Sequence, residues 1–173
     1  APDPDILALT ELENDGYEFE AADASFELLL RRARGEYQPF FRLLDYRVAV
    51  EGRSTDAALS VATVKLKLPD GSFMHTVAEG HGPVDALNAA LRKALEPSYP
   101  QLNDVRLEDY KVRILNAQAA TAAKTRVLIE SSDADRSWDT VGVSENIITA
   151  SYLALVDSIE FKLLRSAPHA GTD

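Results

Sequence analysis

Apolar and polar residues alternate with a period of two over short stretches of the chain, and this pattern predicts β-strands. Residues 46–50 (YRVAV) and 63–68 (TVKLKL) both show the alternation. Residues 69–71 (PDG) are typical of a hairpin turn, after which residues 73–78 form a returning strand. The first part of the pattern therefore predicts three antiparallel strands in succession.

A helical period replaces the alternation after the third strand. Pro83 stands where a helix would begin, and proline is favourable at the first helical position. Pro97 prevents the helix from continuing. The apolar stripe of this predicted helix comprises Val84, Leu87, Leu91, Ala94 and Leu95.

The same order of elements returns in the second half of the chain. Residues 110–114, 125–130 and 137–143 are predicted as strands. Ser144 is predicted to cap a final helix, with Glu145 in its first turn. The apolar stripe of this helix comprises Ile148, Tyr152, Leu155, Ile159 and Leu163.

An internal repeat underlies this recurrence. Residues 45–48 (DYRV) return 64 positions later as residues 109–112 (DYKV), and residues 76–78 (TVA) return at the same offset as TVG. Two copies are too few for a solenoid but suit one domain built around a pseudo-twofold axis. The predicted fold class is therefore α+β, with two pseudo-symmetric βββα units of antiparallel strands and one helix each.

Two further helices are predicted before the repeat, and they read as a linker. Gly16 and Gly35 end them, as glycine commonly does. The predicted organisation is a helical linker subdomain (1–36), a domain of two repeats (37–165, repeats at about 40–96 and 105–164) and a disordered tail (166–173).

Composition and charge narrow the classes of function. The 173-residue chain carries a net charge of −10, which disfavours binding to phosphate backbones, so no nucleic-acid partner is expected. No apolar run approaches the roughly 20 residues that span a bilayer, and the polar, acidic residues 1–5 do not resemble a signal peptide. The absence of cysteine excludes disulfides and thiolate chemistry and agrees with a cytoplasmic location.

The segment 80–85 (GHGPVD) is the strongest candidate for a binding site. Glycines let a ligand approach the backbone closely, and the free amides at a helix start favour an anion such as a carboxylate. The equivalent segment of the second unit, residues 142–146 (GVSEN), also precedes a helix. The alternative is that Gly80 and Gly82 only form a tight turn between strand and helix.

Catalytic and metal-binding signatures are weak. The histidines at 75, 81 and 169 lack the spacing of metal ligands, so no metal site is predicted. The chain has no cysteine nucleophile and no Gly-x-Ser-x-Gly motif. A stand-alone enzyme that uses Asp85, Tyr110 and His81 as an acid–base set remains an alternative, although no motif with a mechanism supports it.

Several motifs resemble the C-terminal regulatory domain of the 2-isopropylmalate synthase and citramalate synthase family. They are residues 44–46 (LDY), 80–86 (GHGPVDA) and 142–148 (GVSENII). Residues 16–29 (GYEFEAADASFELL) resemble the linker of the citramalate synthase branch in particular. The similarity extends over roughly residues 5–164, with no catalytic residues among them.

The resemblance implies a feedback-regulatory and dimerisation domain of an (R)-citramalate synthase-like acyltransferase in isoleucine biosynthesis. Family enzymes condense acetyl-CoA with a 2-oxo acid, here pyruvate, on an N-terminal TIM barrel that uses a divalent metal. This sequence lacks that barrel, so it is expected to need no cofactor and to be inactive alone. The implied partners are a second copy, the protein's own catalytic barrel and a branched-chain amino acid effector, isoleucine. The alternatives are a leucine-binding domain of a 2-isopropylmalate synthase and a dimerisation domain without a ligand.

The resemblance also implies an effector pocket. Leu107 and Tyr110 have opposite parity on one strand, so both can line this pocket only if the strand starts late or bulges between them. The implied pocket residues are Gly80, His81, Gly82, Val84, Asp85, Leu107, Tyr110, Ile114, Thr121, Ala122, Ala123, Ser144 and Asn146. In this pocket Asp85 is expected to accept the ammonium group of the amino acid, while the helix-start amides bind its carboxylate.

Overall fold

The structure, a computed structural model, describes residues 4–14, 16–52, 59–115 and 123–166. Its elements are α1 (Pro4–Asn14), α2 (Asp23–Ala33), β1 (Arg42–Glu51), β2 (Leu59–Lys67), β3 (Phe73–Gly80), α3 (Pro83–Leu95), a 3-10 turn (Pro100–Asp104), β4 (Arg106–Leu115), β5 (Lys124–Ser132), β6 (Ser137–Ser144) and α4 (Ile147–Ser166). The predicted α+β class and the order βββα, repeated once, are confirmed.

The strands form two three-stranded antiparallel sheets, ordered β1-β2-β3 and β4-β5-β6. Tyr46 lies opposite Val64 in the first sheet, and Tyr110 lies opposite Ile129 in the second. The repeated tyrosines therefore occupy equivalent positions on the first strand of each sheet, which is an edge strand. The side chains on their face of each sheet point towards the helices, because alternate residues of a strand share one face.

Helix α3 packs on β2 and β3, and α4 packs on β5 and β6. The core between helices and sheets is continuous, because α3 and α4 also contact each other. Trp138 is 2% exposed; its indole N–H donates to the carbonyl of Ser158 at 3.2 Å, and its ring packs against Phe161. Burial of these apolar surfaces is the main force that holds the two units together.

Of the helices before the repeat, α1 packs on α2, and α2 packs on the second unit. Helix α2 contacts α4 and β6, and Leu28 of α2 is fully buried. Residues 16–22, named here the strap, lie across the outer face of the second sheet, where they pack on Val141 and Val143. The domain boundary at residue 36 stays a prediction. Of the predicted tail, Ser166 ends α4, and residues 167–173 lie outside the described residues.

Candidate functional site

The repeated tyrosines both reach the first turns of α4. The hydroxyl groups of Tyr46 and Thr149 lie 2.8 Å apart, and the Tyr46 ring lies 4.9 Å from the ring of Tyr152. The hydroxyl groups of Tyr110 and Ser151 lie 3.1 Å apart. One helix therefore receives the tyrosine of each unit, which breaks the pseudo-twofold symmetry at this point.

Strand β4 carries a bulge that meets the requirement of the predicted pocket. The register with β5 shifts between Leu107 and Asp109, and Leu107 and Tyr110 both pack against the main core. The extra residue reverses the parity, so the two side chains share the face towards the helices. Strand β1 has the same shift between Leu43 and Asp45, which makes the bulge a property of the repeat.

Ile114 lies on the same face of the second sheet as Tyr110, but its side chain is exposed to solvent. It lies opposite Thr125, which in turn lies opposite Ser144, so the three residues form one row at the end of the second sheet. Its side chain is 64% exposed. Val112 and Ile147 are also exposed, at 41% and 44%. This end of the second unit therefore presents apolar side chains to solvent in the single chain.

The start of α4 corrects the predicted cap. Strand β6 runs through Ser144 and α4 begins at Ile147, so Glu145 precedes the helix instead of lying in its first turn. Asn146 is the cap, because its side-chain oxygen accepts the amides of Ile148 at 2.8 Å and Thr149 at 3.3 Å. Ser144 instead accepts the amide of Asn146 at 3.2 Å.

The turn at residues 80–85 is largely closed on itself. Asp85 Oδ2 accepts the backbone amide of His81 at 3.0 Å, so the carboxylate expected to bind an ammonium group already has one donor within the turn. A Cβ atom at Gly80 would lie 2.4 Å from the backbone nitrogen of Ala86. Glycine is therefore required at position 80 by helix packing, which is the alternative that the sequence left open. Gly82 has no atom within 4 Å of such a Cβ and stays accessible.

The predicted pocket residues are only partly brought together. Ile114 and Ser144 lie in one row at the end of the second sheet, and Asn146 follows shortly after that row. Tyr110, opposite Ile129, lies nearer the middle of the sheet, and Leu107, opposite Ser131, lies towards its other end. Within the described residues, no hydrogen bond or ion pair joins Tyr110, Ser144 or Asn146 to the turn at residues 80–85. Ala123 is half-buried just before β5, and Thr121 and Ala122 lie outside the described residues.

Five surface cavities on the described part of the chain do not coincide with the predicted pocket. They have volumes of 140 to 410 Å³, and their linings contain none of the predicted residues. A pocket built from the predicted residues would therefore need further walls. Surfaces of this kind are completed when a second protein chain packs on them.

A polar cluster that the sequence reasoning missed joins the linker to α4. We name it the clamp: Ser25, Arg32, Tyr37, Asp157 and Glu160. Asp157 accepts the hydroxyl of Ser25 at 2.8 Å and a guanidinium N–H of Arg32 at 2.9 Å. Glu160, which is 2% exposed, accepts the hydroxyl of Tyr37 and, at 3.4 Å, the amide of Phe40. In the sequence, the feature that could have indicated this cluster is the pair Asp157 and Glu160, two carboxylates three residues apart on a largely apolar helix.

Burial controls the charge of the clamp. Desolvation raises the pKa of Glu160 to about 7, although its hydrogen bonds from Tyr37 and Phe40 lower it. Desolvation also raises the pKa of Asp157, against the opposing effect of Arg32. The contact between linker and α4 is therefore sensitive to protonation near neutral pH.

Comparison with known proteins decides the family. The model of the family described as LeuA allosteric (dimerisation) domain matches residues 20–163. The chain belongs to this family. The match includes α2, both sheets and nearly all of α4, so the resemblance seen in the motifs is confirmed over most of the described fold.

The similar full-length proteins include both branches of the family. The (R)-citramalate synthase of Geobacter sulfurreducens is 54% identical over 165 residues, which is 95% of this chain and 31% of that protein. The (R)-citramalate synthase of Aquifex aeolicus is 52% identical over 92% of this chain and 30% of its own length. The 2-isopropylmalate synthase of Aquifex aeolicus is 31% identical over 75% of this chain and 24% of its own length. The chain thus spans about a third of the length of these two (R)-citramalate synthases.

The described residues contain neither a cluster of side chains that could hold a metal ion nor a helix that could cross a bilayer. In residues 4–14, 16–52, 59–115 and 123–166, no group of three or more histidine, aspartate or glutamate side chains is placed to hold a metal ion. No helix within these same ranges is long and apolar enough to cross a bilayer.

Proposed function

We propose that this chain is the feedback-regulatory domain of an (R)-citramalate synthase and that its homodimer binds isoleucine. The observation that carries the proposal is its 54% identity to the (R)-citramalate synthase of Geobacter sulfurreducens over 95% of the chain. The parent enzyme would join acetyl-CoA, pyruvate and water to give citramalate and CoA on a separate barrel. This chain would supply control instead of chemistry.

The end of the second unit suits the aliphatic part of such an effector. Ile114 and Val112 are exposed and apolar, and the Tyr110 hydroxyl is held by Ser151. A branched side chain would bury its methyl groups against these residues, at a gain of about 0.8 kcal/mol per CH₂. One methylene changes binding in such a pocket by about 1–3 kcal/mol, so isoleucine, leucine and valine should be distinguished only in part.

The start of α3 suits the carboxylate. It has no side-chain cap at Gly82, so the amides of Val84 and Asp85 in its first turn have no side-chain acceptor within the described residues. Free amides at a helix start bind anions. The ammonium group would bind the other oxygen of Asp85, Oδ1, because Oδ2 already accepts the amide of His81.

A second copy supplies the missing walls in this proposal. The apolar end formed by Val112, Ile114 and Ile147 is exposed in the single chain. A twofold interface is self-complementary, so the same end of each copy would pack on its partner and bury these side chains. Effector bound at that junction would favour one arrangement of the dimer, which is the physical requirement for allosteric control.

Thermal unfolding of the dimer with isoleucine, leucine or valine tests the proposal. At an isoleucine concentration of 100 times Kd, the dimer should gain about 2.7 kcal/mol in stability. Ile114→Ser should weaken this response by about tenfold or more, because it removes an apolar wall. Phe73→Ser, at a similarly exposed apolar position on the outer face of the first sheet, should leave it unchanged.

Two results would decide against isoleucine, and a third would contradict only the position of the pocket. A larger rise in unfolding temperature with leucine would favour the 2-isopropylmalate synthase branch. The 31% identity to the Aquifex aeolicus enzyme is the reason to include this alternative. A stable dimer with no response to any of the three amino acids would indicate a purely structural dimerisation domain. An equal response of Ile114→Ser and the unmodified chain would contradict the pocket assignment alone.

A further inference from the structure

The outer faces of the two sheets are equivalent in the repeat but differ in what covers them. Val141 on the outer face of the second sheet is 1% exposed, because the strap covers it. Its equivalent in the first sheet, Val77, is 51% exposed, and Phe73 on the same strand is 59% exposed. Within the described residues, the outer face of the first sheet thus lacks the cover that the second sheet has.

The strap shows what kind of polypeptide fits such a face. The rings of Tyr17 and Phe19 stack with centroids 5.7 Å apart and pack on the apolar outer face. Arg126, whose side chain is 13% exposed, donates two hydrogen bonds to the carbonyl of Gly16 and forms an ion pair with Glu18 at 2.8 Å. The bound segment is thus acidic and aromatic, and a cation of the sheet holds it. It forms no helix or strand, and it ends in a turn in which the amide of Ala22 donates to the carbonyl of Phe19 at 3.1 Å.

The uncovered face of the first sheet is basic at the end near the β2–β3 turn. Arg42, Arg47, Lys65 and Lys67 are exposed and lie on this face by their register. The ammonium groups of Lys65 and Lys67 lie 5.9 and 5.8 Å from the centre of the Phe73 ring. We name these five residues, with Val77, the basic outer face.

The cations of this face form no ion pairs among the described residues, although Lys65 and Lys67 contact the Phe73 ring. In the described part of the chain, none of Arg42, Arg47, Lys65 and Lys67 forms an ion pair within 4.0 Å. Asp45 lies opposite Lys65 in the register without reaching that distance. These cations surround exposed apolar side chains in a chain whose net charge is −10. They are therefore available to form ion pairs with an acidic partner.

The charges also decide which occupant fits. A second copy packed face to face would bring the same lysines and arginines against each other, and like charges across an interface cost several kcal/mol. A partner with carboxylates would instead neutralise these cations, and its aromatic side chains would bury Phe73 and Val77 as the strap buries Val141. Both features are those of the strap.

We propose that the basic outer face docks an acidic polypeptide segment that carries aromatic side chains. The occupant is a partner segment of the same chemical kind as the strap, held by ion pairs to the cations and by contact with Phe73 and Val77. This docking surface is on the opposite side of the first sheet from the helix layer. It does not depend on which amino acid the domain binds.

The test uses a peptide of the strap's own sequence, residues 16–24 (GYEFEAADA), blocked at both ends. Titration into the ¹⁵N-labelled chain should move the amide signals of Lys65, Lys67 and Val77 in a saturable manner. Lys65→Glu/Lys67→Glu should weaken binding by about tenfold or more, because it reverses two charges of the surface. Arg106→Glu/Arg136→Glu, the same change of charge at the equivalent end of the second sheet, should bind as the unmodified chain does.

Further titrations distinguish docking by ion pairs from exchange with the strap and from general binding of polyanions. A peptide with glutamine in place of both glutamates should bind at least tenfold more weakly, since it loses two of its three carboxylates and the ion pairs that they form. Equal binding of the two peptides would overturn the proposal. So would shifts confined to Val141 and its neighbours, which would show exchange with the intrachain strap. A short DNA duplex that displaces the peptide and binds more tightly would also overturn it, because the face would then be a general polyanion surface.

An unchanged midpoint of thermal unfolding in Lys65→Glu/Lys67→Glu shows that lost binding is not lost folding. Both side chains are exposed on the strand, so a change within about 0.5 kcal/mol is expected. If the double variant unfolds early, the single variant Lys67→Gln with the same peptide decides the matter. Full-strength binding by both variants would contradict the proposal.

Discussion

At the scale of single residues, the glycines before the two helices have different physical roles. A Cβ at Gly142 would lie 2.0 Å from the carbonyl oxygen of Ala150 in the backbone of α4, and a Cβ at Gly80 would meet Ala86 of α3. These glycines are needed because strand and helix approach closely. A Cβ at Gly82 would have no atom within 4 Å, so packing does not require glycine there. Its role is to shape the turn or to admit a ligand. The sequence showed all three glycines but could not separate these roles, because they depend on the distance between layers.

We expect Gly142→Ala to lower the free energy of unfolding by about 1–3 kcal/mol or more, because the helix backbone must move away from the sheet. Urea unfolding at fixed pH measures this change. The matched control is Gly82→Ala, which places its methyl group in open space. A loss of stability as large in Gly82→Ala as in Gly142→Ala would contradict the packing explanation.

At the scale of elements, the start of α4 and the clamp show how context overrides local signals. Ser144 is a good capping residue, but the register of β6 with β5 extends the strand through it and leaves the cap to Asn146. Asp157 and Glu160 would be ordinary surface acids on an isolated helix. Their burial follows from the docking of α2 and of the segment around Tyr37 on α4, which the sequence pattern did not reveal.

The clamp predicts that Glu160 makes stability depend on pH. The pKa of Glu160 is about 7 in the folded chain against an ordinary value near 4.5, so the folded state holds its proton more tightly than the unfolded state. Its contribution is therefore most favourable at low pH, declines as pH rises from about 4.5 to 7, and is constant above that range, with a total change of about 3 kcal/mol. Glu160→Gln removes this dependence.

Urea unfolding of both chains between pH 5 and 8 measures the difference. The stability of Glu160→Gln relative to the unmodified chain should rise with pH across this window and then level off. Any decline that remains in the variant belongs in part to Asp157, whose pKa is raised by burial as well. Glu145→Gln, at an exposed position before α4, should follow the unmodified profile. A difference that does not change with pH would rule out a titrating Glu160 in this range.

At the scale of the whole molecule, the repeat produces two similar units that are used differently. The second unit has its outer sheet face covered by the strap, and its helix α4 receives the tyrosines of both units. The first unit leaves its outer face uncovered within the described residues and presents cations there. The exposed apolar end at Val112 and Ile114 is the surface that the proposed dimer would bury.

We expect Val112→Glu to shift the chain from dimer to monomer, because a charge buried in an apolar interface without a partner costs several kcal/mol. Sedimentation velocity over a range of concentrations gives the dissociation constant of each variant. Val77→Glu provides the matched control, since Val77 has a similar exposure, 51% against 41%, but lies on the outer face of the first sheet. Dimers of equal stability in both variants would show that the interface lies elsewhere.

The sequence by itself determined the elements, their order and the family, because hydrophobic periodicity and repeated motifs are local and survive without coordinates. For the pocket that the resemblance implies, it left a late start of β4 or a bulge as alternatives, and the structure shows the bulge. Only the tertiary structure decided which face of each sheet is covered, which glycines pack against helices and which carboxylates are buried. The covered sheet face and the buried carboxylates arise from segments more than a hundred residues apart, such as Arg32 and Asp157, and no local pattern encodes their contact. The glycine contacts are local in sequence but depend on the distance between strand and helix, which the pattern does not give.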